Sequence, residues 1–209
     1  MKKAVFIIVA LFVFANLQAQ EEEEERVYDS TYIDKVKYQQ FDESFRVYYI
    51  FPGAVGDNVL AKANKAKLGF GMSLSLITVY NFYLNAGLEF SQYDVTDASL
   101  AGNIDHTNIT NYFGEIMYKI PVYKKITVNP KIGIGYADVR QKTGSKKYGT
   151  QSGTSYNAGF NVDYAVTKSF MVFAGLNYSL LKPETETKSE YKSFYGTLHQ
   201  LNIVVGIKL

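Results

Sequence analysis

Hydrophobic and polar residues alternate one for one along much of this chain. From position 67 to 76 the even places hold Leu68, Phe70, Met72, Leu74 and Leu76, with Gly69, Gly71, Ser73 and Ser75 between them. The pattern returns over 125–136, where Ile126, Val128, Ile132, Ile134 and Tyr136 alternate with Lys125, Thr127, Asn129, Lys131, Gly133 and Gly135. Successive side chains of a strand point to opposite faces, so each segment has one apolar face and one polar, small-residue face. The rhythm predicts eight strands, over 43–52, 67–78, 81–95, 107–120, 124–140, 151–165, 169–182 and 194–209. The first alternates least cleanly, because both of its faces carry aromatic or aliphatic residues. Pro130 inside the fifth cannot donate to a ladder and predicts a bulge or local break there.

The connections alternate as regularly as the residues. Short ones fall around Val79-Tyr80, at Pro121-Val122-Tyr123 and at Val166-Thr167-Lys168; long ones cover 53–66, 96–106, 141–150 and 183–193. Strict short–long alternation across an even number of strands predicts an antiparallel up-and-down barrel with both ends on the side of the short turns. Membrane barrels of this kind have short periplasmic turns and longer outer loops.

The two faces decide between membrane and water. Asn85, Gly87, Glu89 and Ser91, then Ser155, Asn157, Gly159, Asn161 and Asp163, then Gly175, Asn177 and Ser179 form faces small enough for a crowded barrel interior. Opposite them stand Phe82, Leu84, Leu88 and Phe90; Tyr156, Phe160 and Val162; Phe170, Val172, Leu176 and Leu180. Such a face suits lipid, and closure of the barrel satisfies the backbone where water is absent. A soluble lipocalin-like barrel, with the apolar face around a ligand, is the alternative. Tyr118, Tyr123, Tyr136, Tyr164 and Tyr178 fall near predicted strand ends, where interfacial girdles lie.

Met1-Lys2-Lys3, the apolar run 4–15 and the small residues around Ala19 read as a secretory signal over 1–19. Residues 20–42 carry eight acids, Glu21–Glu25 among them, against three basic residues, a net of −5, and are expected to be a disordered periplasmic leader. The barrel domain is expected over 43–209. The chain has no cysteine, which excludes disulfides and thiolate chemistry. Basic residues are scattered rather than striped, which argues against a nucleic-acid footprint.

The terminal run Leu201-Asn202-Ile203-Val204-Val205-Gly206-Ile207-Lys208-Leu209 ends the chain on an alternating apolar face. With the signal and the strand rhythm, it makes residues 43–209 resemble the small outer-membrane β-barrel proteins of OmpA/OmpX type. The resemblance implies an all-β, eight-stranded antiparallel up-and-down transmembrane barrel in the cell outer membrane. It also implies a monomer without a cofactor, surrounded by outer-membrane lipid and lipopolysaccharide, whose C-terminal strand 197–209 is read by the barrel-insertion machinery. In such proteins that strand usually ends on an aromatic residue; here it ends on Leu209.

Candidate chemistry is sparse. His106 falls in the second long loop, and His199 shares the apolar register of Leu201. A triad of His199, Ser179 and Glu89 finds no support in chain position. Arg46, Glu89, Glu115, Lys119, Lys131 and Asp163 occupy the polar register and are expected to fill the lumen as a paired network, or else to line a channel. Arg140, Lys142, Lys146 and Lys147 form a basic loop that fits phosphates of lipopolysaccharide or an acidic partner. Gly69-x-Gly71 and Gly133-x-Gly135 lie within strands and relieve crowding there. The expected role is a non-enzymatic structural or surface-interaction barrel acting through its loops. A small-solute channel, a barrel enzyme and a lipocalin-like binder stand as alternatives.

Overall fold

The computed structural model describes residues 44–144, 146–167, 169–185 and 188–209. The signal and leader predicted over 1–42 lie outside the described residues. The strands are β1 (Phe45–Phe51), β2 (Ala54–Val55), β3 (Asn64–Val79), β4 (Phe82–Val95), β5 (His106–Tyr118), β6 (Ile120–Tyr123), β7 (Ile126–Thr143), β8 (Lys146–Ala165), β9 (Met171–Pro183) and β10 (Leu198–Lys208). The main strands pair antiparallel in the order β1-β3-β4-β5-β7-β8-β9-β10. β10 returns to β1, with Arg46 opposite Lys208 and Phe51 opposite Ile203. The ring thus closes on eight main strands. β2 adds to the edge of β10, and β6 continues the line of β5 along β7.

Burial follows the alternation. β1 has the pattern exposed–buried throughout, with Arg46, Tyr48 and Ile50 inside and Phe45, Val47, Tyr49 and Phe51 outside, so the segment with the weakest sequence signal is the most regular strand. The outward stretch from Phe82 to Phe90 covers about nine residues, the length a tilted strand needs to cross a hydrocarbon core. Aromatic rings mark both edges of the apolar band: Phe70, Phe90, Tyr112, Tyr136 and Tyr156 toward the loops, and Phe82, Tyr118 and Tyr123 toward the turns. Tyr136 and Tyr178 therefore sit within β7 and β9, not at strand ends, because those strands run on past the band.

Three local features depart from the simple rhythm. Register shifts between Ala66 and Leu68 and between Ser75 and Ile77 are bulges in β3. Each inserts one residue and exchanges inside for outside, so Lys65 and Lys67 face outward at one end and Thr78 faces inward at the other. At Pro130, β7 stays continuous and keeps its pairing to β8. The break falls instead on the neighbouring ladder, which lapses between Met117↔Lys131 and Ile120↔Val128 and divides β5 from β6. The third long connection is a correction: 141–150 is not a loop. β7 and β8 pair out to Thr143↔Lys146, and Gly144, at φ 56°, makes the turn that glycine accommodates. Arg140, Lys142, Lys146 and Lys147 are thus strand residues.

Candidate functional site

The interior holds two unlike layers. Its lower and middle parts, toward the turns, are polar. Lys131 Nζ lies 3.3 Å from Glu115 Oε2, and Asn85 Nδ2 donates to Glu115 Oε1 at 3.2 Å. Glu89 accepts from Tyr48 Oη at 2.9 Å and from Asn177 Nδ2 at 3.3 Å. Arg46 Nη2 pairs with Asp163 Oδ2 at 3.2 Å, and its guanidinium lies over the Phe173 ring. Ser155 donates to Asn111, and Asn111 and Ser179 both donate to Asn157. Each ion of these pairs is buried, so each needs its partner. The space left among Glu89, Glu115, Lys131, Asn157 and Asn177 is about 10 Å³ for water centres, room for roughly one water.

The layer toward the loops is apolar. Tyr93, Ile109, Ala137, Val139, Leu181 and Leu198 form one buried cluster across the strands. Into it the first loop inserts a short helix, Val59–Ala63, whose Leu60 and Ala63 are buried. Asn58 caps this helix by accepting from the Ala61 amide at 3.1 Å. The second connection bonds to it and is itself tied to the third and fourth. Thr96 N donates to Ala63 O, Tyr195 Oη to Leu100 O, Thr143 Oγ1 to Asn103 O, and the Gly144 amide to Asp105 Oδ2. Beside the second loop's helix Ala98–Ala101, Asp97 accepts from the Ser99 hydroxyl and amide, which hold its carboxyl below the usual carboxylate range.

The structure thus brings Arg46, Glu89, Glu115, Lys131 and Asp163 together inside the barrel. Lys119 is the exception. It is half-buried between β5 and β6, and its amide donates to Asn81 O in the β3–β4 turn. It keeps the inward parity of Glu115 and Met117, level with buried Asn129, but lies at the end of the strand and outside the ion pairs. Sequence reasoning missed Lys208, buried on the polar register of β10 with its ammonium 5.3 Å from the Tyr83 ring centroid. It also missed the inward rings of Tyr48, Tyr83, Tyr93, Phe113 and Phe173. For three of them the available signal was glycine opposite: Tyr48 pairs with Gly71 and Gly206, Phe113 with Gly87 and Gly135, and Phe173 with Gly206, and a Cβ on Gly71 would strike the Tyr48 ring.

His199 lies on the outer side of the wall, hydrogen-bonded to Tyr178, whereas Ser179 and Glu89 point inward. The three do not assemble a triad. His106 opens β5, and its Nδ1 is 2.8 Å from Asp94 Oδ1. Arg140 pairs with Asp138 at 3.0 Å, and Lys142 stands opposite His106 on the neighbouring strand.

The family model of the outer membrane protein beta-barrel domain matches residues 7–208, and the chain belongs to that family. Its place is the cell outer membrane. A search of curated proteins gives no match. Among solved structures, neisserial surface protein A is similar with a TM-score of 0.59 and 14% identity, over 82% of this chain and 99% of that one. A major outer membrane protein from Thermus thermophilus is similar with a TM-score of 0.51 and 10% identity, over 81% and 100%. At these identities the likeness shows the fold, an outer-membrane β-barrel. The short turns then face the periplasm and the loops the exterior.

Proposed function

We propose that this outer-membrane barrel is a non-enzymatic, non-conducting monomer that presents its outer connections to a partner outside the cell. The observation that carries the reading is the seal at the outer mouth. The first loop uses its apolar side chains to close the lumen, and the other loops hydrogen-bond around it into one braced surface. Recognition usually sits on loops held by a rigid scaffold, and a pre-formed surface loses less entropy on binding. Exposed Tyr191 and Lys192 on the fourth connection lie on the side a partner would meet. Outer-membrane lipid and lipopolysaccharide surround the wall. β10, the strand that closes the ring on β1, is the element for the insertion machinery to read.

A path for small solutes is the second reading. It draws on buried polar atoms without a protein partner, among them Arg46 Nε, Asn129 Nδ2 and Asp163 Oδ1, which suit a hydrated interior. Planar-bilayer conductance of the purified barrel separates the two. The sealed scaffold gives no discrete steps. Stable, ion-selective steps that respond to substitution of Glu115 or Lys131 overturn it in favour of a pore.

A further inference from the structure

One row of facing residues runs across the outside of four neighbouring strands: Lys65 on β3, Asp94 on β4, His106 on β5 and Lys142 on β7. Asp94 lies at its centre, its Oδ1 3.3 Å from Lys67 Nζ and 2.8 Å from His106 Nδ1. Among the described residues no carboxylate pairs with Lys65 or Lys142, so the cations at the two ends of the row are left for an outside anion.

Two independent features place this row at the lipid. The first is the aromatic edge. Below the row on the same face come Phe70, Phe90, Tyr112 and Tyr136, the boundary of the apolar band, so the cations project sideways at headgroup depth rather than up from the loops. The second is the β3 bulge. With unbroken alternation Lys65 and Lys67 would share the inward register of Gly69, Gly71 and Ser73; the extra residue between Ala66 and Leu68 turns both lysines outward. Bulges re-aim side chains in this way at the rims of barrels.

From this geometry we propose that the outer face of β3, β4, β5 and β7 is a docking surface for the phosphate groups of an outer-leaflet glycolipid. It rests on the lipid contact in the functional reading above and gives that contact a site. Asp94 positions Lys67 and His106, while Lys65, Lys67 and Lys142 supply the charge. Lysine offers phosphate a point charge with three donors, and Arg140 stands one outward position below Lys142, toward the band. A lateral surface bordering aromatic rings takes a lipid-borne phosphate because the acyl chains lie against the adjoining apolar band.

The test uses the full barrel in phosphatidylcholine nanodiscs containing EDTA, doped with bis-phosphorylated lipid A or with the same lipid A stripped of phosphate. Lipid retained on the purified barrel is measured, and folding is checked by heat-modifiable gel migration. The wild-type chain should retain the phosphorylated lipid about tenfold better, a difference of about 1.4 kcal/mol. Lys65→Gln/Lys67→Gln/Lys142→Gln should abolish the preference while remaining folded, and the matching Lys→Arg variant should keep it. Equal retention of both lipids by the wild type, or an undiminished preference in the glutamine variant, overturns the proposal. So does full competition by millimolar inorganic phosphate, which would make the surface a site for free anions. Conductance in pure phosphatidylcholine is a separate measurement, so the scaffold reading and this docking surface can fail independently.

Discussion

Removing the ammonium of Lys131 should destabilise the barrel more than removing the charge of its partner. Lys131 and Glu115 are 3.3 Å apart with side chains 8% and 4% exposed. At an effective dielectric constant of about 20, two unit charges at that separation attract by roughly 5 kcal/mol. Desolvation of the two ions, several kcal/mol each, offsets most of that gain, so the intact pair contributes little net. Breaking it is another matter, because the ion left behind keeps its desolvation penalty; the usual cost is about 3–5 kcal/mol. The surroundings set the order within that range. Lys131 also attracts Glu89, so Lys131→Met leaves two buried carboxylates without their cation and should lie near about 5 kcal/mol. Glu115→Gln leaves Lys131 facing Glu89, and the new amide oxygen still accepts from Asn85, so its cost should be about 3 kcal/mol. The double variant should cost less than the sum of the two, with a coupling of about 2 kcal/mol. Equilibrium urea unfolding from lipid vesicles at neutral pH, followed by gel mobility, measures all three. A Lys131→Met barrel that is as stable as the wild type, or more stable than Glu115→Gln, would refute the reasoning.

Leu84→Arg, on the lipid face, should destabilise by about 2–4 kcal/mol. Ser155→Ala removes one interior donor to Asn111 and should cost about 1 kcal/mol; equal effects in the same titration would mean the faces are wrongly assigned. Leu60→Ala should cost the outer seal about 2–5 kcal/mol and expose the first loop to protease on intact cells, whereas undiminished resistance would show that Leu60 does not anchor it. Gly71→Val should overpack the interior against Tyr48 by about 1–3 kcal/mol, and Tyr48→Ala in the same chain should relieve the strain; additive losses would rule that contact out.

How much of this was legible in the sequence depends on where the chain sits relative to lipid. Inside the band, one face meets hydrocarbon and the other a crowded polar interior, so Leu68 to Leu76 and Phe82 to Phe90 alternate and the strands declare themselves. Beyond the band the outward face no longer meets hydrocarbon and need not be apolar. Residues from Gln141 onward lose the period of two, and the β7–β8 hairpin reads as a loop although its ladder continues. The helix Val59–Ala63 is five residues long, too short for a helical period to emerge, and only Asn58 marks its start. A bulge leaves no pattern of its own; it shifts parity, which is why the outward aim of Lys65 and Lys67 was invisible. Lys208 was readable, since it shares the inward register of Asn202, and lay open to the same argument that placed Asp163.

On the sealed-scaffold reading the interior charges act as structure, and the inner side of β4 supports it. From the periplasmic end outward it carries Tyr83, Asn85, Gly87, Glu89, Ser91 and Tyr93. Tyr83 meets the Lys208 ammonium at one end, and Tyr93 Oη accepts from Gln200 Nε2 at 2.8 Å at the other. Between these two rings lie Glu89 and, through Asn85, the Glu115–Lys131 pair. Lining a pore requires charges that keep their hydration while an ion passes. Here an aromatic ring stands at each end of the column, Leu60 and its neighbours lie beyond the outer one, and the gap among Glu89, Glu115 and Lys131 takes about one water. Under those conditions the six buried ions among the described residues, three cations (Arg46, Lys131, Lys208) and three anions (Glu89, Glu115, Asp163), have to neutralise one another across strands far apart in sequence. Arg46 and Asp163, 117 positions apart, can meet only once the ring has closed. A charge set of that kind favours the closed barrel over any open arrangement of the same strands.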